Sequence, residues 1–336
     1  MVRFGLGVPT GTEGLIYPVP YASIEEAVEL AVTAEELGFE SVWGNDHIAT
    51  QAYVHEEFDD PPNYFDPLSY LAYVAAKTSR VRLATCILVL PFRHPVVAAK
   101  QLATLDQLSG GRLVVGVGIG AYREEFEALH PGVTLHRGRY AEEALLSLDR
   151  LFTQRSASFD GEFIRFSGVE SYPKPRQTPL PILSGGNSAG SKQRAGALGH
   201  GWLPAALTPE ETARGVQEVH AAAAAAGRTL PADFEVALQV GVAIGDTTEQ
   251  ARERFERSQL YAHMASLKKS TLKDQQKGDI ADRNLVGTPD DVARQVKAYL
   301  DAGVNTFAGL LFAANSVADT LDQMTLFRDE VLTRFS

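Results

Sequence analysis

Apolar and polar positions along the chain follow two alternating periods, which predicts strands that alternate with helices. The first unit joins the apolar run 4–8 to a helical pattern over 23–37, where apolar residues recur every three or four positions. Ser23 with Glu26 is typical of a capped helix start, and Gly38 ends this helix. The later predicted pairs of strand and helix are 41–43 with 66–77, 81–90 with 95–108, 112–117 with 139–152, 181–184 with 190–198, 202–205 with 209–226, 234–244 with 248–263, and 304–312 with 317–335.

The predicted strands are apolar almost throughout, which indicates a parallel sheet that helices cover. About eight such pairs without a dividing linker predict an α/β fold, a single (β/α)8 TIM barrel over residues 1–336. Two stretches do not fit the repeat. Residues 156–179 alternate like a small hairpin, and residues 265–286 are predicted to form a polar loop. The prediction is therefore one barrel with two insertions.

Charge and cysteine content exclude several classes of function. The formal net charge is −11, from 31 Lys and Arg against 42 Asp and Glu, so nucleic acid and anionic membranes are not expected partners. The only cysteine, Cys86, cannot form an intramolecular disulfide, and no metal-ligand pattern such as H-E-x-x-H occurs, so no metal is expected. Thr85 and Pro91 interrupt the longest apolar run, which is too short to span a membrane. These features predict a cytoplasmic protein.

The carboxyl ends of the strands are where a barrel of this type places its functional groups. The second predicted strand ends in Asp46 and His47, which puts a carboxyl group and an imidazole at the barrel mouth. A histidine there is either a proton-transfer group or a hydrogen-bonded structural residue, and the sequence leaves both interpretations open. On the third strand, the small residues Thr85 and Cys86 interrupt large aliphatic ones and leave room for a flat ring.

Two glycine segments are candidates for contact with a cofactor. Glycines at 116, 118 and 120 lack the dinucleotide-binding spacing, because Arg123 occupies the last position of that motif. They indicate close packing, or backbone that approaches a planar cofactor. The second segment, 185–187, reads Gly-Gly-Asn and lies between a buried strand and a helix, where consecutive amides predict a phosphate site.

Together these segments resemble the bacterial luciferase-like monooxygenase superfamily, which contains FMN-dependent monooxygenases and F420-dependent oxidoreductases. The resemblance covers nearly the whole chain. Its matching stretches are AEELGFESVWGNDH (34–47), LPFRHPVVAAKQLATLDQLSGGRLVVGVGIG (90–120), REEFEAL (123–129), GEFIRFSGV with YPKP (161–175), SGGNS with GHGW (184–202) and VGTPDDVARQVKAYLDAGVN (286–305).

The resemblance implies a flavin or deazaflavin ring at the carboxyl end of the barrel, with His47 over its reacting face as the catalytic residue. In many members the third strand carries a non-prolyl cis peptide bond, which would fall at Cys86-Ile87 in this chain. The residues that match the cofactor-binding positions of the family are Asp46, Thr85, Cys86, Ile87, Ile119 and Gly120 for the ring, and Gly185, Gly186 and Asn187 for the phosphate.

One departure from the family bears on the reaction. Members that dehydrogenate sugar phosphates carry an acidic residue directly after the last glycine of GVGxG, and this chain has Ala121 there. We therefore do not expect that activity. The segments 92–112 and 286–293 are most similar to F420-dependent members, so F420 is the expected cofactor and FMN the alternative.

Three functions follow as hypotheses. The first is an F420-dependent oxidoreductase that acts on a small organic molecule, the second is an FMN-dependent monooxygenase that uses O2, and the third is a flavin-binding protein without turnover. The presence of His47 and of all eight units favours an enzyme. The loop 48–65 is rich in aromatic residues, which suggests an apolar or ring-bearing substrate. A homodimer is considered as the assembly.

Overall fold

A computed structural model describes residues 2–267 and 278–335. Residues 268–277, in the middle of the predicted polar loop, lie outside this description. The strands in the described parts of the chain are β1 (Arg3–Val8), β2 (Ser41–Gly44), β3 (Arg82–Val89), β4 (Leu113–Gly118), β5 (Ala157–Asp160), β6 (Arg165–Val169), β7 (Ile182–Gly185), β8 (Gly201–Leu203), β9 (Glu235–Leu238), β10 (Gly241–Ile244), β11 (Leu285–Gly287) and β12 (Thr306–Phe312).

Helices follow most of these strands. They are α1 (Ile24–Glu36), α2 (Ala52–Glu57), α3 (Pro67–Lys77), α4 (Pro95–Leu108), α5 (Arg123–Leu129), α6 (Arg137–Thr153), α7 (Ala189–Leu198), α8 (Pro209–Ala225), α9 (Thr248–Glu256), α10 (Gln259–Ser266), α11 (Pro289–Asp301) and α12 (Val317–Glu330). Capping boxes begin α1, α8 and α11, at Ser23, Thr208 and Thr288. Each of these residues uses its side-chain oxygen to accept a backbone N–H that the first turn leaves without a helical partner.

The strands close into a parallel barrel. Its eight members follow the order β1, β2, β3, β4, β7, β8, β9 and β12, and β12 pairs with β1 to complete the ring. Strands β10 and β11 extend the sheet beside the last two residues of β12. The predicted TIM barrel is confirmed, and the carboxyl ends of its strands meet at one mouth.

Two layers of apolar residues surround the strands. A small interior cluster fills the barrel itself and includes Trp43, Cys86, Leu183 and Leu203. A much larger cluster lies between the strands and the surrounding helices. Burial on both faces explains why the strand segments are apolar at nearly every position.

The last third of the chain differs from the prediction in three respects. The single strand expected over 234–244 is broken between β9 and β10, because β9 pairs with the start of β12 and β10 with its end. The single helix expected over 248–263 is divided into α9 and α10, since Ser258 caps a new helix. The expected polar loop 265–286 contains β11 near its end, which pairs with β10.

The segment 156–179 begins with an antiparallel hairpin outside the barrel. Strands β5 and β6 form their own two-stranded sheet directly after α6. The hairpin therefore adds to the helical layer and leaves the order of the barrel strands unchanged.

Candidate active site

Three neighbouring strands meet closely at the barrel mouth. Ile87 of β3 lies between glycines of β4 and β7, and a Cβ atom at Gly118 would overlap its side chain. A Cβ atom at Gly185 would lie 2.7 Å from Cγ2 of Ile87 and 3.0 Å from the carbonyl oxygen of Val117. The glycines keep this part of the mouth free of side chains other than Ile87. This part of the mouth is therefore lined by backbone and one aliphatic side chain.

Strand β3 is irregular directly below this surface. Its register against β4 shifts between Thr85 and Leu88, and the peptide bond Cys86-Ile87 is cis, as the family resemblance implied. The Thr85 hydroxyl donates to the carbonyl oxygen of Gly116 at 2.8 Å. Cys86 is buried in the barrel interior, and this burial raises the pKa of its thiol to about 12. The Cys86 thiol is therefore neutral and belongs to the core.

Asp46 is buried and fully engaged by protein groups. Its carboxylate accepts the N–H of Val89 at 2.8 Å and forms a two-pronged ion pair with the Arg93 guanidinium, whose second contact measures 2.9 Å. Arg93 also lies 3.2 Å from Asp66. These bonds tie the loop after β2 to the loop after β3. The side chain of Asp46 thus positions the loop.

His47 lies at the mouth beside a buried carboxylate. Its Nδ1 atom is 3.1 Å from Oε1 and 3.3 Å from Oε2 of Glu125, in the first turn of α5. The same Oε1 atom accepts the backbone N–H of Ile48 at 3.0 Å. The Glu125 side chain is 1% exposed, and that of His47 is 15% exposed. This arrangement presents one edge of the imidazole to the mouth and fixes the other.

A second polar group borders this pair. Nε2 of Gln51 is 3.2 Å from Nδ1 of His47 and donates to the carbonyl oxygen of Ala49 at 3.0 Å. Oε1 of Gln51 accepts the hydroxyl of Tyr64 at 2.7 Å. The rings of His47 and Tyr64 lie with centroids 5.5 Å apart. Loop 48–65 therefore places aromatic and amide groups around the imidazole.

A second imidazole completes the aromatic rim. His263 of α10 shares a 2.9 Å hydrogen bond with the hydroxyl of Tyr53, which lies 3.4 Å from the hydroxyl of Tyr122. Burial, and then the nearby charge of His47, lower the pKa of His263 to about 4. Burial likewise raises the pKa of Tyr122 to about 12. Near neutral pH these groups are uncharged hydrogen-bonding side chains.

The predicted phosphate loop is partly committed to the protein. The N–H of Gly186 donates to the carbonyl oxygen of Leu203 at 2.9 Å, and its carbonyl oxygen accepts the indole N–H of Trp202 at 2.9 Å. The side-chain amide of Asn187 bonds to both backbone groups of Ala205, at 2.8 and 3.0 Å. Gly186 has φ of +109°, a conformation that glycine adopts easily. The loop thus directs the chain into α7, whose opening amides have no helical partners.

A buried arginine lies between the starts of α6 and α7. A Cβ atom at Gly190 would be 3.4 Å from Nη1 of Arg194, and one at Gly138 would be 3.6 Å from the same atom. The Arg194 side chain is 8% exposed and lies 3.5 Å from Glu142. Its burial lowers the pKa of the guanidinium. Two helix N-termini and a desolvated cation form a site that attracts an anion.

The structure thus brings most of the predicted residues to one mouth. Sequence reasoning did not find Glu125, Tyr122, His263 or Arg194. Glu125 lies 78 residues from His47 in a helix that was not predicted, although the segment REEFEAL contributed to the family resemblance. Among the described residues no group of three or more His, Cys, Asp or Glu side chains is arranged to hold a metal ion.

Comparison with known proteins gives relatives over most of the chain. The family model for luciferase-like monooxygenases matches residues 2–306. An FMNH2-dependent dimethylsulfone monooxygenase of Pseudomonas putida is 29% identical over 90% of this chain and 88% of its own. An F420-dependent glucose-6-phosphate dehydrogenase of Kineococcus radiotolerans is 30% identical over 85% of this chain and 86% of its own.

Solved structures show the same architecture. The monooxygenase RslO1 of Streptomyces bottropensis superimposes with a TM-score of 0.80 at 26% identity, over 99% of this chain and 100% of its own. Three observations indicate the same family: the sequence match, the shared barrel and the irregular third strand. This chain belongs to the luciferase-like monooxygenase family.

Proposed function

We propose that this oxidoreductase binds F420 as its flavin-type cofactor and transfers a hydride between that cofactor and a small organic molecule. The observation that carries the proposal is the lining of backbone and one aliphatic side chain around Ile87, which lies at the same mouth as His47. Relatives that use F420 and relatives that use FMN both match the chain. The segments 92–112 and 286–293 favour F420, and the absence of a carboxylate at Ala121 argues against a sugar phosphate as substrate.

The residues at the mouth fit a planar ring. Gly118 and Gly185 make room for the side chain of Ile87, which supplies an aliphatic contact from β3. Ile119 and Gly120 continue this edge after β4, and Arg137 donates to the carbonyl oxygen of Gly120 at 2.8 Å. We assign the ring to this surface, with Thr85 and Cys86 beneath it as support.

The phosphate of the cofactor is assigned to the start of α7. Because the N–H of Gly186 is bonded to Leu203 and that of Ser191 to Ser188, the donors for an anion are the amides of Ala189 and Gly190 and the guanidinium of Arg194. Gly185, Gly186 and Asn187 then shape the loop that leads to these donors.

His47 is proposed to handle the proton of the reaction. In its reduced form, the bound cofactor supplies a hydride, or with FMN the electrons that activate O2. Nε2 of His47 would donate a proton to a substrate carbonyl oxygen, or accept one from a hydroxyl group in the reverse direction. The neutral phenols of Tyr53, Tyr64 and Tyr122 would bind an uncharged substrate beside it.

A titration of the purified chain with F420 and with FMN, followed by fluorescence, tests the cofactor assignment. F420 should bind more tightly than FMN, and Arg194→Gln should weaken binding about 10- to 100-fold, because a charge-assisted hydrogen bond is lost. Arg228→Gln is the matched control, since Arg228 donates to Gly196 towards the other end of α7. Unchanged affinity in Arg194→Gln would move the phosphate elsewhere, and binding of neither cofactor would overturn the proposal.

FMN-dependent monooxygenation is the second candidate function. The match to the dimethylsulfone monooxygenase and to RslO1 favours it. Tight binding of FMN in the same titration, together with O2 consumption by the reduced complex in the presence of substrate, would assign this reaction.

No helix in the described residues is long and apolar enough to cross a membrane. The homodimer and the cytoplasmic location stay predictions.

A further inference from the structure

We infer that Glu125 is a positioning residue that holds the proton of His47 on Nδ1 and so aims Nε2 at the reacting atoms. The inference rests on the proposed function for the role of His47, whereas the pairing itself rests on geometry alone. Both oxygens of Glu125 lie within 3.3 Å of Nδ1, and one of them also accepts the N–H of Ile48. One carboxylate therefore fixes both the ring and the backbone beside it.

The charge on Glu125 decides which ring nitrogen carries the proton. Glu125 lies in the first turn of α5, where the partial positive charge of the helix start favours a carboxylate over a carboxylic acid. It also accepts a backbone N–H at 3.0 Å. An ionised carboxylate beside the lone pair of Nδ1 would be repelled. The proton therefore lies on Nδ1 and is donated to Glu125.

Gln51 is the only other described side chain close to Nδ1, and it competes with Glu125, because its Nε2 atom can only donate. Nε2 of Gln51 must face the carbonyl oxygen of Ala49, because a carbonyl oxygen only accepts, and Oε1 accepts from Tyr64. One hydrogen of the NH2 group thus serves Ala49, and the second could be donated to Nδ1 only if that atom carried no proton. A neutral amide 3.2 Å from Nδ1 interacts far more weakly than the buried carboxylate. The carboxylate determines the tautomer.

The opposite edge of the imidazole is left clear by a glycine. A Cβ atom at Gly11, in the loop after β1, would lie 3.0 Å from Cδ2 of His47. Cδ2 is the ring carbon bonded to Nε2. The carboxylate therefore holds the edge of the ring that carries Nδ1, and the absence of a side chain at Gly11 leaves room for the ring at Cδ2. Since this chain has Ala121 after the glycine segment, the carboxylate at the mouth comes from α5 instead.

The tautomer of His47 can be observed directly by NMR of the full-length chain labelled with 15N-histidine, using His47→Gln to assign the signal. Wild type should show a protonated Nδ1. Glu125→Gln should lose this preference, because the carboxamide offers a donor as well as an acceptor to Nδ1. Glu124→Gln is the matched control, since Glu124 is the neighbouring carboxylate and accepts the N–H of Ala52 instead. A neutral imidazole protonated on Nε2 in wild type, or an unchanged signal in Glu125→Gln, would overturn the inference.

Kinetics separate positioning from a structural role. With F420H2 and a panel of neutral ketones that includes acetone and cyclohexanone, Glu125→Gln should lower kcat about 10²-fold with KM nearly unchanged. The double variant that combines Glu125→Gln with His47→Ala should have the same kcat as His47→Ala alone. An equal further loss in the double variant would show that Glu125 acts independently of His47. If neither cofactor binds yet the NMR signal responds to Glu125→Gln, the proposed function fails and the pairing stands.

Discussion

At the scale of single residues, exposure distinguishes the two members of the pair at the mouth. The His47 side chain retains 15% of its surface, whereas Glu125 retains 1%. A proton-transfer group must reach its substrate, and a group that orients it works best when solvent cannot compete for its hydrogen bonds. His263, whose pKa is lowered to about 4, stays neutral at physiological pH and is unsuited to proton transfer there. His47 is therefore the imidazole to test.

Replacement of His47 separates chemistry from packing. His47→Ala should lower kcat by about 10²- to 10⁴-fold, because general acid or base assistance is lost, while the cofactor affinity changes little. The measurements are kcat with the ketone panel and the cofactor Kd by fluorescence. If His47 only packs the mouth, His47→Ala should lower stability and cofactor binding together, and His47→Gln should restore most activity. That pattern would contradict the catalytic assignment.

The sequence predicted residues whose position follows from the order of strands. His47 was found because it follows an apolar run directly, and the carboxyl ends of all such runs meet at one mouth, whereas Ile87 was found only through the family resemblance. The partners of these residues were not found, since pairing across the mouth depends on loop conformation. Asp46 illustrates the limit, because its place at the mouth was predicted but its ion pair with Arg93 was not.

At the scale of elements, two carboxylates fasten the segment after α6 to the barrel. Glu143 of α6 accepts the N–H groups of residues 162–164, at 2.8 to 2.9 Å. Asp106 of α4 is buried and accepts the N–H groups of Arg176 and Gln177, at 2.6 and 2.9 Å. The alternation of apolar residues predicted the hairpin. These attachments were not predicted, because a carboxylate on a helix surface gives no sign of a distant backbone partner.

Removal of one attachment should loosen the hairpin locally. In Glu143→Ala the three amides of residues 162–164 lose their acceptor, so their hydrogen exchange should become at least about tenfold faster. Mass spectrometry of exchange over peptides of 156–170 measures this change. Arg139→Gln is the control, because it removes an exposed ion pair with Glu162 and a contact with the ring of Phe163 but no acceptor of these amides. Equal protection of residues 162–164 from hydrogen exchange in Glu143→Ala and wild type would show that the turn is stable without the Glu143 carboxylate.

At the scale of the whole molecule, the two ends of the barrel carry different groups. The carboxyl ends of the strands hold the candidate active site. At the opposite end, Glu235 at the start of β9 bonds to Arg82 at 2.6 Å and lies 3.6 Å from Arg3 at the start of β1. The hydroxyl of Thr306, which begins β12, donates to the same carboxylate at 3.1 Å. This network joins strands that are distant in sequence and supports closure of the ring.

The separation of the two ends leads to a prediction about Arg82. Arg82→Gln leaves the carboxylate of Glu235, which is 7% exposed, without its two-pronged partner, and breaking a buried pair in this way costs about 3 kcal/mol. The midpoint of urea unfolding should therefore fall while the slope is retained, and the affinity for F420 should not change because the site lies at the other end. Arg155→Gln is the control, since the side chain of Arg155 is 85% exposed and its ion pair with Glu170 contributes little. A drop in cofactor affinity as large as the drop in stability would show that the two ends are coupled. An unchanged midpoint of urea unfolding would show that Arg3 and Thr306 are sufficient partners for the Glu235 carboxylate.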